Sequence, residues 1–133
     1  MKARSLVEED YKTVCEWWKS WNWPVLPKSA LPDNGKGGFM VEKNGELIVC
    51  GFLYLTNSKW ALLEWIVSNP KYRQADRKDA IELLVKNAEI VCKKIGVEFV
   101  FSIARHEGLI QTHKKLGWNV EEKPSYEMTK KIN

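Results

Sequence analysis

Three basic residues lie close together in the sequence at the start of the longest predicted helix. Arg73, Arg77 and Lys78 fall within the segment Arg-Gln-Ala-Asp-Arg-Lys. The first turn of a helix has unpaired N–H groups and a partial positive charge, so phosphate groups bind there readily. Arg and Lys add charge-assisted hydrogen bonds to such an anion. The turn is a candidate site for a phosphate-bearing ligand; the alternative is a solvated helix end with Asp76 as its cap.

One carboxylate stands inside an apolar segment. Glu64 follows Leu63 and precedes Trp65. Partial desolvation between such neighbours raises the pKa of a carboxyl group towards the range in which it exchanges protons at neutral pH. The alternative is a Glu that projects from its strand into solvent or pairs with a neighbouring arginine. The residues alone leave both interpretations open.

Tryptophan is frequent in this chain, with seven in 133 residues. Four of them are Trp17, Trp18, Trp21 and Trp23. Aromatic side chains fill cores, and they also form the walls of pockets for apolar or cationic ligands. We expect Trp18, and Trp17 with it, in the core, and Trp21 or Trp23 nearer a pocket.

The composition excludes several classes of protein. The net charge is +4 with 29% charged residues, and the basic residues alternate with acidic ones, which argues against a nucleic-acid module. Cys15, Cys50 and Cys92 lack metal-ligand spacing, so free buried thiols and no metal site are expected. No leader peptide and no membrane span are expected, which favours one cytoplasmic domain over residues 1–133.

Hydrophobic periodicity places these residues on a series of strands and helices. The predicted strands are 2–6, 39–42, 46–56, 60–68, 97–103, 118–121 and 126–131, and the predicted helices begin near 8, 74 and 107 and end near 21, 95 and 116. Asn44-Gly45 indicates a tight hairpin, and Gly96 is placed to end the long helix. The segment 22–38, with three prolines and an Asn-Gly pair, is expected to be an ordered loop.

This order of elements predicts an α/β (α+β) fold. Consecutive strands joined by short turns favour antiparallel pairing, whereas a strand, a long helix and another strand imply a parallel pair joined by a right-handed crossover. We expect a mixed, mostly antiparallel central sheet with helices on both faces.

Two segments resemble the acyl-CoA N-acyltransferase (GNAT) superfamily. Residues 64–84, which contain Val-Ser-Asn-Pro-Lys-Tyr-Arg followed by a long helix, are similar to its cofactor-binding segment. Residues 112–118, Thr-His-Lys-Lys-Leu-Gly-Trp, resemble its late Tyr-x-x-Leu-Gly-Phe element. The order of elements matches over nearly the whole chain, and a helix and a strand separate the two motifs. The resemblance implies an acyl-CoA N-acyltransferase-like fold.

The resemblance also implies an activity, which is transfer of an acetyl group from acetyl-CoA to a primary amine. Glu64 would be the general base and His113, at the family's tyrosine position, the general acid; the alternative for His113 is an exposed helix histidine. The acceptor, a small molecule or a protein, would lie near Trp21 and Trp23. The expected assembly is a monomer or a homodimer.

The cofactor-binding positions follow from the same resemblance. The backbone of the central strand would pair with the pantetheine arm, the following turn would hold the diphosphate, and a residue before the last helix would contact the cofactor. These residues are Ile66, Val67, Ser68, Arg73, Gln74, Ala75, Asp76, Arg77, Lys78 and His106.

The sequence departs from the family pattern in the turn and at the tyrosine. Family glycines would fall near Asp76 and Lys78, and His113 replaces the tyrosine. The alternative hypothesis is a GNAT-fold interaction or structural protein without acetyl-CoA chemistry. The run Trp-Trp-Lys-x-Trp and the later Leu-Pro-Asp-Asn-Gly also resemble small GNAT-like proteins of tailed phages.

Overall fold

The computed structural model describes residues 1–132, which form one five-stranded sheet in the order β1-β2-β3-β4-β5. The strands are β1 (Lys2–Ser5), β2 (Gly38–Lys43), β3 (Glu46–Leu55), β4 (Trp60–Ser68) and β5 (Phe99–Phe101). The helices are α1 (Asp10–Ser20), α2 (Arg77–Lys94) and α3 (Glu107–Lys115). Strands β1 to β4 pair antiparallel, and β5 pairs parallel to β4. The predicted mixed, mostly antiparallel sheet is confirmed.

The sheet separates two hydrophobic cores because its side chains alternate between faces. On one face, α2 packs through Leu84 against Leu53 and Leu63. On the other face, α1 packs through Val14 and Trp18, which contact a cluster that includes Met40, Cys50 and Phe52. Helices therefore cover both faces, and Trp17 and Trp18 lie in the core as expected.

Local signals in the sequence set the ends of several elements. Asn44 and Gly45 have φ values of 52° and 80°, the left-handed pair that joins β2 to β3 in a tight hairpin. Helix α2 ends at Lys94, and Gly96, with φ 83°, lies just beyond its end. The N–H of Gly96 donates to Lys93 O, and the N–H of Val97 donates to Cys92 O at 2.9 Å. This pair of hydrogen bonds is the usual arrangement at a helix end that is followed by glycine.

The loop between α1 and β2 is ordered by hydrogen bonds from two tyrosines. It contains two short 3₁₀ turns, Lys28–Ala30 and Pro32–Gly35. The hydroxyl of Tyr11 donates to Leu26 O at 2.7 Å, and that of Tyr54 donates to Ala30 O at 2.9 Å. The predicted ordered loop thus lies over the α1 face of the sheet, where Leu31 joins the core.

The chain after α3 differs from the prediction. Within residues 1–132, no strand follows β5, so the strands predicted at 118–121 and 126–131 are wrong. Tyr126 and Met128 alternate as in a strand but are 89% and 88% exposed, because no neighbouring strand gives them a buried face. Strand β5 is also shorter than predicted, since the N–H of Val97 bonds to Cys92 O in the last turn of α2 and the strand begins only at Phe99.

Helix α2 begins at Arg77, three residues later than predicted. The N–H of Arg77 donates to Gln74 O at 3.2 Å, which makes residues 74–77 a turn rather than a helical segment. Among the described residues, no helix is both long and apolar enough to cross a bilayer, and no group of His, Cys, Asp or Glu could hold a metal ion. The cysteines are free.

Candidate functional site

Strands β4 and β5 are paired at one end and apart at the other. Their register runs only from Trp60↔Phe99 to Leu62↔Phe101, whereas β4 continues to Ser68. Residues 63–68 therefore have no backbone partner in β5 among the described residues. We call this opening, between residues 63–68 of β4 and residues 102–105 after β5, the β4–β5 fork. It leaves strand backbone without a strand partner, and an extended ligand can pair with such backbone.

Glu64 lies at the base of the fork. Its Oε1 accepts a hydrogen bond of 2.8 Å from the N–H of Ile103, just beyond the last β4–β5 pair. Burial raises the pKa of Glu64 to about 7, although the Ile103 N–H and the charge of Arg105 act in the opposite direction. The carboxylate is thus half-buried, positioned by backbone and able to exchange a proton near neutral pH.

A β-bulge in β4 follows Glu64 directly. The register moves from Phe52↔Glu64 to Cys50↔Val67, so Trp65 and Ile66 lie opposite Gly51 alone. Trp65 has φ 57°, a left-handed conformation that is unusual for a tryptophan. Bulges redirect side chains and backbone groups and are frequent beside active sites. Here the bulge reorients the β4 backbone in the fork.

Gly51 makes room for this bulge. A Cβ atom at Gly51 would lie 3.1 Å from Leu84 Cδ2 and 3.2 Å from Ile66 Cγ1. Both distances are tighter than ordinary van der Waals contacts, so a larger residue would push β3 away from α2 or from the bulge.

The turn from Arg73 to Lys78 continues from the end of β4 into α2. Within residues 1–132, the backbone N–H groups of Gln74, Ala75 and Lys78 have no hydrogen-bond partner. The side chains of Arg73 and Lys78 are exposed, and that of Arg77 is half-buried. Free N–H groups together with basic side chains fit a diphosphate.

Asp76 does not cap α2, which corrects the expected alternative for this residue. It occupies the N-cap position, but its side chain makes no capping bond. Its carboxylate instead accepts from Lys43 Nζ and from the hydroxyl of Tyr72, both at 2.7 Å. Lys43, and then Tyr72, hold the pKa of Asp76 below its ordinary value. A groove of about 450 Å³ beside these three residues is also lined by Gln74 and Ala75.

Ile66, Val67 and Ser68 form the last part of β4 in the fork. Val67 is buried, whereas Ile66 and Ser68 are half-buried. The indole N–H of Trp21 donates to Ser68 O at 2.8 Å, so the structure brings an expected pocket residue onto an expected cofactor-binding residue. Trp21 and Trp23 are each 38% exposed.

The two histidines have different surroundings. His106 is exposed at the N-cap of α3. His113 is buried, so it is not the exposed helix histidine considered above. Its Nδ1 is 2.8 Å from Leu109 O, and its ring meets that of Trp118 edge-on at 4.5 Å. No hydrogen bond or ring contact among the described residues joins His113 to Glu64.

Several residues at the site were missed in the sequence. Lys43 is 33 residues before Asp76, and Tyr72 is four residues before it in a polar segment, so no local pattern connects the three. Ile103 contributes through its backbone, which residue type does not reveal. An exposed aromatic cluster of Trp60, Phe99 and Phe101 was also missed, although the alternation of Phe99 and Phe101 along one strand was a usable signal.

Comparison with known proteins places this geometry in a fold family. No protein-family model matches the sequence, and no curated protein sequence does. A Thermus thermophilus protein has a TM-score of 0.73 at 16% identity, with 100% of this chain and 98% of that chain covered. The Escherichia coli ribosomal-protein-S18-alanine N-acetyltransferase has a TM-score of 0.69 at 20% identity, covering 89% of this chain and 77% of its own.

A third structure was obtained with coenzyme A. It is a Mycobacterium tuberculosis protein with a TM-score of 0.68 at 14% identity, covering 95% of this chain and 76% of that chain. Identities in this range establish the fold and not the reaction. The chain has the fold of the GNAT acetyltransferases over its whole length.

Proposed function

We propose that this protein transfers an acetyl group from acetyl-CoA to a primary amine. The observation that carries the proposal is the half-buried carboxylate of Glu64 at the base of an open strand fork. The turn that follows the fork has free N–H groups at Gln74, Ala75 and Lys78. An extended ligand with a diphosphate at one end fits this arrangement, with its arm in the fork and its diphosphate at the turn.

The fork and the turn would each bind a different part of the cofactor. The backbone of Ile66, Val67 and Ser68 would pair with the pantetheine arm, which requires the Trp21 indole to share or release Ser68 O. The turn N–H groups, with Arg73 and Arg77, would hold the diphosphate. His106, exposed before α3, would contact the cofactor from the β5 side. Acetyl-CoA supplies a thioester, which activates the acetyl group for attack by nitrogen.

Glu64 would remove a proton from the bound ammonium. A base with a pKa of about 7 is ionised in half of the molecules at neutral pH and still accepts a proton effectively. The new C–N bond replaces the C–S bond. The ammonium gives up two protons overall, of which one passes through Glu64 to solvent and one ends on the thiol.

Return of a proton to the thiolate is assigned to His113 by the resemblance alone. The buried ring against Trp118 supports packing as a second role for this residue. Solvent in the fork would protonate the thiolate if His113 is only a packing residue.

Direct detection of both products tests the proposal. The protein is incubated with acetyl-CoA and a panel of primary amines, and free thiol and acetylated amine are measured by absorbance and mass spectrometry. We expect equal amounts of both products with at least one amine and a large loss in Glu64→Gln. Bound CoA without acetylated amine across the panel would exclude the transferase.

The alternative is a GNAT-fold protein without acetyl-CoA chemistry. The observation that favours it is the turn Arg73–Lys78, which has no glycine and places the ionised Asp76 beside the groove. This alternative predicts no binding of CoA, either by the natural protein or after Asp76 and Lys78 are both replaced by glycine.

A further inference from the structure

An exposed aromatic cluster lies at the paired end of β4 and β5. The ring of Trp60 is 5.8 Å from that of Phe99 and 6.1 Å from that of Phe101, measured between centroids. The three side chains are 44%, 59% and 43% exposed. Exposed aromatic groups that contact each other form a patch of the kind that binds ligands.

The aromatic cluster shares a face with Glu64. Ala61 and Val100 pack into the core under α2. Because side chains alternate along a strand, Trp60, Leu62 and Glu64 point to the opposite face of the sheet. The register pairs Trp60 with Phe99 and Leu62 with Phe101, so both strands contribute to the same strip. The bond from Ile103 N–H to Glu64 lies at its far end.

We propose that the acceptor binds on this strip and that it is a primary amine with an aromatic body and no acidic group. The strip is made of Trp60, Leu62, Glu64, Phe99 and Phe101. The inference rests on the proposed transferase function, for which it names the substrate class. The ammonium pairs with the carboxylate of Glu64, and the aromatic body lies on the rings of Phe101 and Trp60.

Spacing along the strands sets the size of the acceptor. Phe101 lies two residues from Ile103, at most about 7 Å along the chain. Trp60 lies four residues from Glu64, about 13 Å along β4. An amine joined to a phenyl ring by two or three carbons spans the first of these distances. Its ring then reaches Phe101 and extends towards Trp60.

Charge around the strip argues against an acidic acceptor such as an amino acid. Arg105, which follows Ile103, is paired with Glu127. Lys59, which precedes Trp60, lies 3.8 Å from Glu98. The two cations that flank the strip in the described chain thus already have carboxylate partners, and a carboxylate on the ligand would compete with them.

Binding of phenylpropylamine to the full chain tests this inference without the cofactor. Affinity is measured by isothermal titration calorimetry with the natural protein, Trp60→Ala and Phe101→Ala. We expect saturable binding that becomes roughly tenfold weaker in each variant, since each removes one aromatic contact. Leu55→Ala is the matched control, because Leu55 is 58% exposed but lies opposite Ala61 on the other face. It should bind as the natural protein does.

Four results would overturn the inference. Three concern binding: the absence of phenylpropylamine binding, equal binding in Trp60→Ala, and tighter binding of spermidine or of phenylalanine. A dimer that dissociates in Trp60→Ala would also overturn it, since a second copy would then cover the patch. Titration with CoA alone is run in parallel, so that failure of the transferase and failure of the acceptor assignment are separate outcomes.

Discussion

The Oε1 atom of Glu64 lies 2.8 Å from the backbone nitrogen of Ile103, and this bond closes the base of the β4–β5 fork. Glu64 comes from the strand that has the bulge, and Ile103 from the segment that has already left the sheet. A side chain therefore occupies the place where the next backbone pair of two parallel strands would be. The fork and its base are therefore one structural feature.

Glu64→Gln should abolish most of the transfer while preserving the fork, because glutamine also accepts the bond from Ile103. We expect kcat/KM to fall roughly a hundredfold or more, the usual contribution of a general base. In the natural protein the rate should rise with pH through about 7, since only the ionised carboxylate accepts a proton and burial raises the pKa of Glu64 to about 7. The variant should lack this rise.

The control for this experiment is Glu9→Gln, which removes an exposed carboxylate before α1 that makes no side-chain capping bond. It should retain the rate and the pH profile. A Glu64→Gln enzyme with the natural profile would exclude Glu64 as the base.

Asp76→Asn should strengthen the binding of CoA. Lys43 and Tyr72 keep Asp76 ionised, and the carboxylate lies in the turn proposed to hold a diphosphate. The amide oxygen of asparagine can accept from Lys43 while its amide nitrogen donates to the Tyr72 hydroxyl, so the contacts remain without the charge. Affinity should therefore improve about threefold at low salt. Calorimetric titration measures it, with Asp33→Asn as a remote variant of equal charge. Weaker binding in Asp76→Asn would mean that the carboxylate itself supports the ligand site.

Gly51→Ala should disturb the bulge and lower stability by about 1–3 kcal/mol, as overpacking in a filled core does. The added methyl group would meet Leu84 and Ile66 at 3.1 and 3.2 Å. Chemical denaturation measures the free energy of unfolding. Gly108→Ala, whose Cβ meets no atom within 4 Å, is the control and should be neutral or slightly stabilising. Equal stability of both variants would show that the bulge has room to move.

His113→Phe should distinguish a packing role of the His113 side chain from a role in returning a proton to the thiolate. The ring of His113 is buried against Trp118, and its Nε2 has no partner among the described residues. Phenylalanine fills the same space without an unpaired polar atom, so the melting temperature should change by only a few degrees. We expect kcat to change less than about threefold, because solvent can protonate a thiolate. A hundredfold loss of kcat at an unchanged melting temperature would assign proton return to His113.

Local patterns in the sequence were sufficient for most elements of the fold. The bounds of β4 agree with its apolar run, and Asn44-Gly45 and Gly96 set turn and helix end through backbone conformation. The segment after α3 shows the limit. Tyr126 and Met128 alternate as a strand does, but alternation does not reveal whether a neighbouring strand is present to cover one side.

The candidate site was only partly predictable for a similar reason. The neighbours Leu63 and Trp65 indicated a desolvated Glu64, and its raised pKa agrees. Its partner Ile103 is 39 residues away and acts through its backbone. Asp76 looked like a helix cap because capping is local, whereas Lys43, 33 residues earlier, draws its side chain away. Contacts between segments that are distant in the sequence determine where these side chains lie and which groups they bond.

Calorimetric titration of CoA into the full-length chain at low salt is the most direct test of the account. We predict saturable binding at one site per chain, roughly tenfold weaker when Arg73 and Arg77 are both replaced by alanine and unchanged in Lys94→Ala at the other end of α2. No heat of binding at millimolar CoA, or equal affinity in the double variant, would contradict the claim that the turn after β4 holds a diphosphate.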